Sequence, residues 1–272
     1  MKIALFNRDR TEGIDAVKTL LRERGASLSC YGEDFTSWKD LPEDTDLFLS
    51  LGGDGTFLQS LTFVRDRGIP VAGINFGRLG FLTTARADEG DGWIDELLNR
   101  RFSVAERTLL QVTSTVLPDR LYPFALNEVS VQRRGASMLQ IQVNIAGRAL
   151  PAYWADGLVI STPTGSTAYN LSVGGPVVMP GSDVMVIAPI APHNLNVRPL
   201  VVPMEATVSL TFHSREAEAQ LTIDNRSCMV PSGSTVSLAC APFGLRYVSL
   251  TDDNFISALR TKLLWGADKR NT

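Results

Sequence analysis

The first hundred residues alternate between short apolar runs and segments in which apolar residues recur at helical spacing. Ile14, Val17 and Leu21 are an example of that spacing, which places them on one side of a helix. The predicted elements are a strand at 2–6, a helix at 11–24, a strand at 46–51, a helix at 55–67 and a strand at 69–74. This alternation predicts an α/β domain with a parallel sheet over residues 1–100.

The pattern changes after residue 101, where short runs of Val, Ile, Leu and Thr follow one another between turn residues. Residues 140–145 alternate strictly between polar and apolar side chains. Predicted strands cover 111–117, 127–132, 139–145, 207–212, 220–223 and 235–238. We expect an all-β, sandwich-like domain of antiparallel sheets over 101–250. Helical spacing returns over 254–265, so residues 251–272 should form a helical tail that packs back on the N-terminal domain.

Composition narrows the class of protein. The 272 residues are 44% hydrophobic and 20% charged, with a net charge of −3 and no long basic run, so nucleic-acid binding is not expected. His193, His213 and three scattered cysteines lack metal-site or disulfide spacing, so no metal site is predicted. The opening apolar run is too short for a signal peptide, and the apolar stretch 184–192 contains two prolines. We therefore expect a cytoplasmic protein without membrane association.

A glycine-rich loop, Gly52-Gly53-Asp54-Gly55-Thr56, lies between a predicted strand and a predicted helix. Glycines let the backbone approach a ligand closely, and amides at a helix N-terminus favour an anion such as phosphate. The loop lacks the Gly-Lys-Ser/Thr ending of a P-loop and is not a Gly-x-Gly-x-x-Gly fingerprint. It predicts a phosphate-binding site of another type.

Asp54 is the most informative residue of this loop. A carboxylate that faces phosphates is repelled unless a metal ion or a transferable proton lies between them, which favours a catalytic role. The alternative is that Asp54 only caps the following helix. The loop alone leaves both interpretations open.

Further segments carry more Gly, Pro and polar residues than a plain β-sandwich needs. They are NFGRLGFL at 75–82, the pair Asn127-Glu128, DGLVISTPTGSTAY at 156–169, and the run 187–201. With the glycine loop, and in this order and spacing, they closely resemble the NAD kinase family from about residue 50 to residue 265. Residues 259–266 are similar to the family's C-terminal signature. The glycine loop is shared with lipid kinases and phosphofructokinases, whereas the 156–169 segment is much more specific.

The resemblance implies an ATP-dependent NAD kinase, which transfers the γ-phosphate of ATP to the 2′-hydroxyl of the adenosine ribose of NAD. It also implies Mg²⁺ or another divalent cation bound with ATP, and a homodimer or homotetramer. ATP and polyphosphate both stay open as donors for such a bacterial-type enzyme. Two alternatives remain, a diacylglycerol- or sphingosine-type lipid kinase that shares the loop, and a non-catalytic NAD-binding sensor.

The resemblance also implies roles for individual residues. Asp54 would be the general base, Asp156 would reach the NAD of a neighbouring subunit, and Asp224 would be a second acid near the reaction centre. Contacts with the nucleotides are implied for Gly52, Gly53, Gly55, Thr56, Phe81, Asn127, Glu128, Thr164, Thr167, Ala168, Tyr169, Asn170, Leu171 and Ser172.

Two positions differ from the family pattern. Trp154 stands where many bacterial members have arginine or histidine, so stacking on the dinucleotide would replace a polar contact. Asn225-Arg226 stands where a Gly-Gln-like pair is common after the aspartate, and the role of Arg226 stays open. Some of these residues also have purely structural interpretations. Tyr169 could be a core residue, and Asn127-Glu128 could be an ordinary turn. We interpret His193 as structural.

Overall fold

The computed structural model describes residues 1–8, 13–31, 37–77, 80–87, 90–250 and 255–266. The chain divides into two compact units: the first unit comprises Met1–Glu106 with Leu245–Thr272, and the second unit comprises Arg107–Gly244. Within the described part of the chain, no helix is long and apolar enough to cross a bilayer.

The secondary structure is mostly β. In chain order the strands are β1 (Lys2–Asn7), β2 (Ser27–Tyr31), β3 (Leu47–Leu51), β4 (Val71–Asn75), β5 (Ala85–Arg86), β6 (Phe102–Arg107), β7 (Leu110–Thr113), β8 (Phe124–Ala125), β9 (Glu128–Arg133), β10 (Leu139–Ile145), β11 (Arg148–Ala149), β12 (Tyr153–Ala155), β13 (Gly157–Ser161), β14 (Val184–Ile190), β15 (Leu200–Pro203), β16 (Val208–His213), β17 (Glu218–Ile223), β18 (Arg226–Pro231), β19 (Thr235–Cys240) and β20 (Leu245–Leu250). The helices are α1 (Ile14–Glu23), α2 (Asp54–Val64), α3 (Gly92–Leu98), α4 (Tyr169–Ser172) and α5 (Phe255–Lys262), with 3₁₀ turns at Trp38–Asp40 and Thr164–Thr167.

The first unit is built on a sheet with the strand order β2-β1-β3-β4-β20-β6, and β5 pairs with β4. The pairs of β1 with β2 and β3, and of β4 with β3 and β20, are parallel, which confirms the prediction of a parallel sheet. Strands β3 and β4 are buried along their whole length, as is typical of mostly apolar strands in a covered parallel sheet. Helix α1 buries Ile14, Val17 and Leu21, the residues whose spacing predicted it.

The second unit contains two antiparallel sheets. One has the order β11-β10-β16-β19-β7-β8, with β12 also paired to β10, and the other has the order β15-β14-β13-β9-β17-β18. Buried side chains from both sheets form one hydrophobic cluster. Alternation along each strand supplies these side chains. In β10, Leu139, Ile141 and Val143 are buried, whereas the residues between them are not. The prediction of antiparallel sheets is confirmed.

The two observed units differ from the predicted domains by one strand at each of the two domain boundaries. All of strand β6 except its last residue belongs to the first unit. Strand β20 lies within the predicted β domain of 101–250, but it pairs with β4 of the first unit through Tyr247 and Val71. Thr11 and Asn254, where two predicted helices begin, lie outside the described residues, as do Arg78 and Leu79 of the 75–82 segment.

Candidate active site

The glycine loop connects strand β3 to helix α2 in the first unit. Gly52 has a φ of 149° and donates its N–H to the carbonyl of Ile74 over 2.9 Å. A Cβ atom on Gly52 would lie 2.5 Å from Oγ1 of Thr56, so only glycine fits. Thr56 is itself buried and packs against the loop, whereas Gly55 is exposed. The structure thus brings a stretch of backbone with little side-chain cover to a helix N-terminus, where anions are stabilised.

Asp54 is the first residue of α2 and does not cap it. The N-cap is Gly53, which has no side chain to form a capping hydrogen bond, so the structure does not support Asp54 as the cap. The Asp54 carboxylate instead accepts two backbone hydrogen bonds from a neighbouring loop. The N–H of Phe81 donates to Oδ2 over 2.8 Å, and the N–H of Leu82 donates to Oδ1 over 3.0 Å. These two donors fix the orientation of the carboxylate.

Gly80 allows this approach, and sequence reasoning missed it as a site residue. A Cβ atom there would lie 1.8 Å from Oδ1 of Asp54. The N–H of Gly80 donates to Oγ1 of the buried Thr83 over 3.0 Å, which holds the loop in place. The available signal was a glycine six residues after the end of the predicted strand 69–74, inside a segment that already resembled the family.

In the second unit, Asp224 organises the Asn127-Glu128 pair. Its side chain has no exposed surface. Its Oδ1 accepts the N–H groups of Asn127 (2.8 Å) and Glu128 (3.2 Å), and its Oδ2 accepts the N–H of Leu126 (2.9 Å). Burial raises the pKa of Asp224, and the Arg226 charge and the three amides oppose that rise. Asp224 therefore holds the backbone of 126–128 in position, and both of its oxygens are occupied.

Arg226 is the positive partner of this buried acid. Its Nη2 donates to Oδ2 of Asp224 over 3.3 Å and to the carbonyl of Phe124 over 2.6 Å, and its Nε donates to the carbonyl of Ile223 over 3.2 Å. Its guanidinium also lies 5.9 Å from the centre of the Tyr122 ring. Burial lowers the pKa of Arg226, against the opposing charge of Asp224. Arg226, one of the positions that differ from the family pattern, thus compensates the charge of Asp224.

Asn127 and Glu128 present buried oxygen atoms that lack partners. Among the described residues, neither Oδ1 of Asn127 nor Oε2 of Glu128 has a hydrogen-bond partner. Burial, and then the charge of Asp224, raise the pKa of Glu128 to about 8, although the backbone N–H of Tyr169 donates to its carboxylate. Buried polar atoms without partners are costly and usually have a reason. The two oxygens are therefore candidates for contact with a polar ligand.

The 156–172 segment packs directly against that pair. The N–H of Thr162 donates to the carbonyl of Asn127 over 2.9 Å, and its Oγ1 donates to the carbonyl of Leu126 over 2.6 Å. The hydroxyl of Tyr169 donates to Oε1 of Gln132 over 3.3 Å, and burial raises the pKa of Tyr169. Tyr169 is thus half-buried beside Glu128, and it is not an enclosed core residue.

The predicted pocket wall divides into accessible and buried members. Partly or fully exposed positions are Thr164, Thr167, Ala168, Tyr169, Leu171 and Ser172. Asn170 is completely buried, and its Nδ2 donates to the carbonyls of Ser166 and Pro176, each over 3.0 Å. Asn170 therefore braces the turn that presents the other six.

Asp156 and Trp154 lie apart from these contacts. Asp156 forms an ion pair with Arg133 through two oxygen–nitrogen contacts of 2.7 and 3.2 Å. Trp154 is 43% exposed and lines a cavity of about 590 Å³ together with Met138, His213 and Arg215. In the described part of the chain, neither side chain shares a hydrogen bond with Glu128 or Asp224.

Comparison with known proteins agrees with this geometry. Residues 36–102 match the family model of the ATP-NAD kinase N-terminal domain, and residues 126–250 match that of the ATP-NAD kinase C-terminal domain. An NAD kinase of Flavobacterium psychrophilum is 42% identical over 88% of this chain and 82% of its own length. An NAD kinase of Flavobacterium johnsoniae is 38% identical over 98% of this chain and 92% of its own length.

Two solved structures share the fold. The yeast NADH kinase complexed with NADH superposes with a TM-score of 0.85 at 23% identity, covering 100% of this chain and 89% of that one, and this likeness concerns the fold alone. An NAD kinase from Archaeoglobus fulgidus in complex with ATP has a TM-score of 0.78 at 25% identity and covers 98% of both chains.

Fold, site and relatives together define a nucleotide-dependent phosphotransferase with a glycine-loop aspartate. The chain belongs to the NAD kinase family, and it is an ATP-dependent NAD kinase.

Proposed function

We propose that Asp54 is the general base of this NAD kinase reaction. The observation that carries the proposal is the Asp54 carboxylate, which two backbone amides hold at the N-terminus of α2 beside the glycine loop. Each carboxylate oxygen retains a second lone pair that can accept a proton. Asp54 accepts the proton of the ribose 2′-hydroxyl while that oxygen attacks the γ-phosphorus of ATP in line. The new oxygen–phosphorus bond forms, the bond to the β-phosphate oxygen breaks, and ADP leaves.

The phosphates of ATP lie along Gly52, Gly53 and Gly55 in this proposal. Among the described residues, no group of three or more His, Cys, Asp or Glu side chains is placed to hold a metal ion. Mg²⁺ would be bound together with ATP, mainly by the phosphate oxygens, and would supply positive charge there. The protein's own contribution is to orient the acceptor hydroxyl and remove its proton.

The proposed NAD contacts of the second unit are polar groups. The unpartnered oxygens of Asn127 and Glu128 meet hydroxyl or amide groups of the dinucleotide. A protonated Glu128 can also donate a hydrogen bond, which an ionised carboxylate cannot. The exposed residues of the 164–172 turn form the wall of the nucleotide pocket, and Phe81 contacts the adenine. Asp224 acts through the backbone of 126–128, without touching the reacting atoms.

The titration of Glu128 gives a stability test for this arrangement. Its pKa is about 8 in the folded protein, against 4.5 for a free side chain. Between these values the folded protein binds a proton that the unfolded chain has lost, so stability falls as the pH rises. The slope is at most about 1.4 kcal/mol per pH unit. Glu128→Gln removes this contribution. Urea unfolding at pH 6, 7 and 8 should show wild type losing stability relative to the variant, and parallel pH dependences would contradict the assignment.

A coupled assay for NADP, supplied with NAD, ATP and Mg²⁺, tests the function directly. We expect turnover that disappears when Mg²⁺ is removed by a chelator. Replacing ATP by polyphosphate identifies the donors. Tight NAD binding without NADP formation would instead support the non-catalytic sensor, the alternative from another functional class.

We further propose a cytoplasmic homodimer or homotetramer in which Asp156 contacts NAD bound to a neighbouring subunit. Asp156 and Trp154 support this, because 31% of the Asp156 side chain and 43% of Trp154 are exposed. Sedimentation at micromolar concentration should show a dimer or larger species, and cell fractionation should find the protein in the cytosol. A monomer with full activity at nanomolar concentration would contradict the shared site.

A further inference from the structure

Lys262, at the end of helix α5, contacts the loop that holds Asp54. Its ammonium group donates a hydrogen bond to the carbonyl oxygen of Gly80. The same nitrogen lies 5.1 Å from the centre of the Phe81 ring, within the range of a cation–π interaction. Two independent contacts therefore tie the last turn of α5 to consecutive residues of the loop.

The two ends of one peptide group are engaged here. The carbonyl of Gly80 and the N–H of Phe81 belong to the same planar peptide unit and point in opposite directions. Lys262 binds its oxygen, while Asp54 accepts its N–H over 2.8 Å. The positive charge of Lys262 beside the Gly80 carbonyl polarises this peptide group. The polarised peptide donates a stronger hydrogen bond from the Phe81 N–H to Asp54. The peptide thus connects a fixed cation to the carboxylate.

We propose that Lys262 is a positioning residue for the NAD kinase reaction. It holds the Gly80–Phe81 peptide at the orientation in which the Phe81 N–H fixes the Asp54 carboxylate, and it presents the Phe81 ring. Gly80 cannot shift toward α2, because its backbone is already against Oδ1 of Asp54. The loop is therefore confined between the carboxylate on one side and Lys262 on the other. This inference rests on the proposed role of Asp54 as general base.

Lys262→Met tests the proposal, because methionine keeps an unbranched side chain but loses the charge and the donor. We expect kcat to fall about tenfold, since small displacements of a catalytic group have large effects on rate. KM for ATP should change less than threefold. Lys262→Arg retains charge and donors and should recover most of kcat. Arg260→Met, on the same helix and exposed, is the matched control and should leave kcat and the thermal midpoint unchanged.

A double-mutant cycle with Asp54→Asn separates positioning from a general structural effect. If Lys262 acts through Asp54, Lys262→Met should cost little further activity once Asp54 is replaced. An equal fold-loss in both backgrounds would overturn the proposal, as would a normal kcat for Lys262→Met. A fall of the thermal midpoint shared by Lys262→Met and Lys262→Arg, with no recovery of kcat, would also overturn it. Near-normal kcat for Asp54→Asn alone would instead refute the general base.

Discussion

Asp54→Asn is expected to lower kcat for NADP formation by about 10²–10⁴, the usual contribution of a general base. NAD should still bind, because its proposed contacts lie mainly on the second unit. ATP should bind as well as before or slightly better, since one negative charge near its phosphates is removed. The measurements are kcat by the coupled assay and NAD affinity by calorimetry.

The structure adds a condition to this test. Both carboxylate oxygens of Asp54 accept backbone N–H groups, from Phe81 and Leu82. Asparagine offers one acceptor oxygen, and its NH₂ group would face the other N–H donor. Some loss of stability is therefore expected, on the scale of one hydrogen bond, about 1–3 kcal/mol. The thermal unfolding midpoint of each variant should therefore be measured together with its kcat.

Asp15→Asn is a matched control, because Asp15 also lies in the first turn of a helix but is exposed. It should leave kcat unchanged. A folded Asp54→Asn protein with near-normal kcat would refute the general base. A variant that no longer binds NAD would make Asp54 a substrate ligand instead.

Gly80→Ala is expected to cost at least about 10² in kcat, although alanine carries no polar group. Its Cβ would lie 1.8 Å from Oδ1 of Asp54, so the carboxylate or the loop must move by more than an ångström. Displacements of that size reduce rates by about this factor. Steady-state kcat and the thermal midpoint measure the effect.

Gly92→Ala is the control for a glycine replaced by alanine in open space, since no atom lies within 4 Å of its added Cβ. It should leave kcat unchanged. Normal kcat for Gly80→Ala would mean that the loop relaxes without disturbing Asp54, and it would remove the reason for a glycine at this position.

Local patterns in the sequence predicted several helices and strands of both units. Helix α1 and strand β10 follow from the spacing of their own apolar residues, because burial on one face is a local property. The place of β20 in the parallel sheet could not be predicted, for the opposite reason. Its mostly apolar sequence would fit either kind of sheet, and the pairing of Tyr247 with Val71 places it beside β4 in the parallel one. Such a pairing depends on packing between distant segments.

The candidate site likewise has features that the sequence predicts and features that only the fold reveals. The glycine loop and its aspartate are evident in the sequence, because five adjacent residues carry the signal. The amides that hold Asp54 could not be predicted, since every residue has a backbone N–H and nothing in the sequence marks those of Phe81 and Leu82. The role of Arg226 was equally hidden, because only the fold shows that Asp224 is fully enclosed.

The first unit is discontinuous in the chain, and this has a consequence for how the protein is made. The second unit is contiguous, so it can fold while the rest is still being translated. The parallel sheet of the first unit lacks β20 until residues 245–250 have left the ribosome, and the loop beside Asp54 lacks Lys262 until α5 has followed. A nascent chain can therefore complete the polar cluster around Asp224 before the loop that holds Asp54 gains its contact with Lys262.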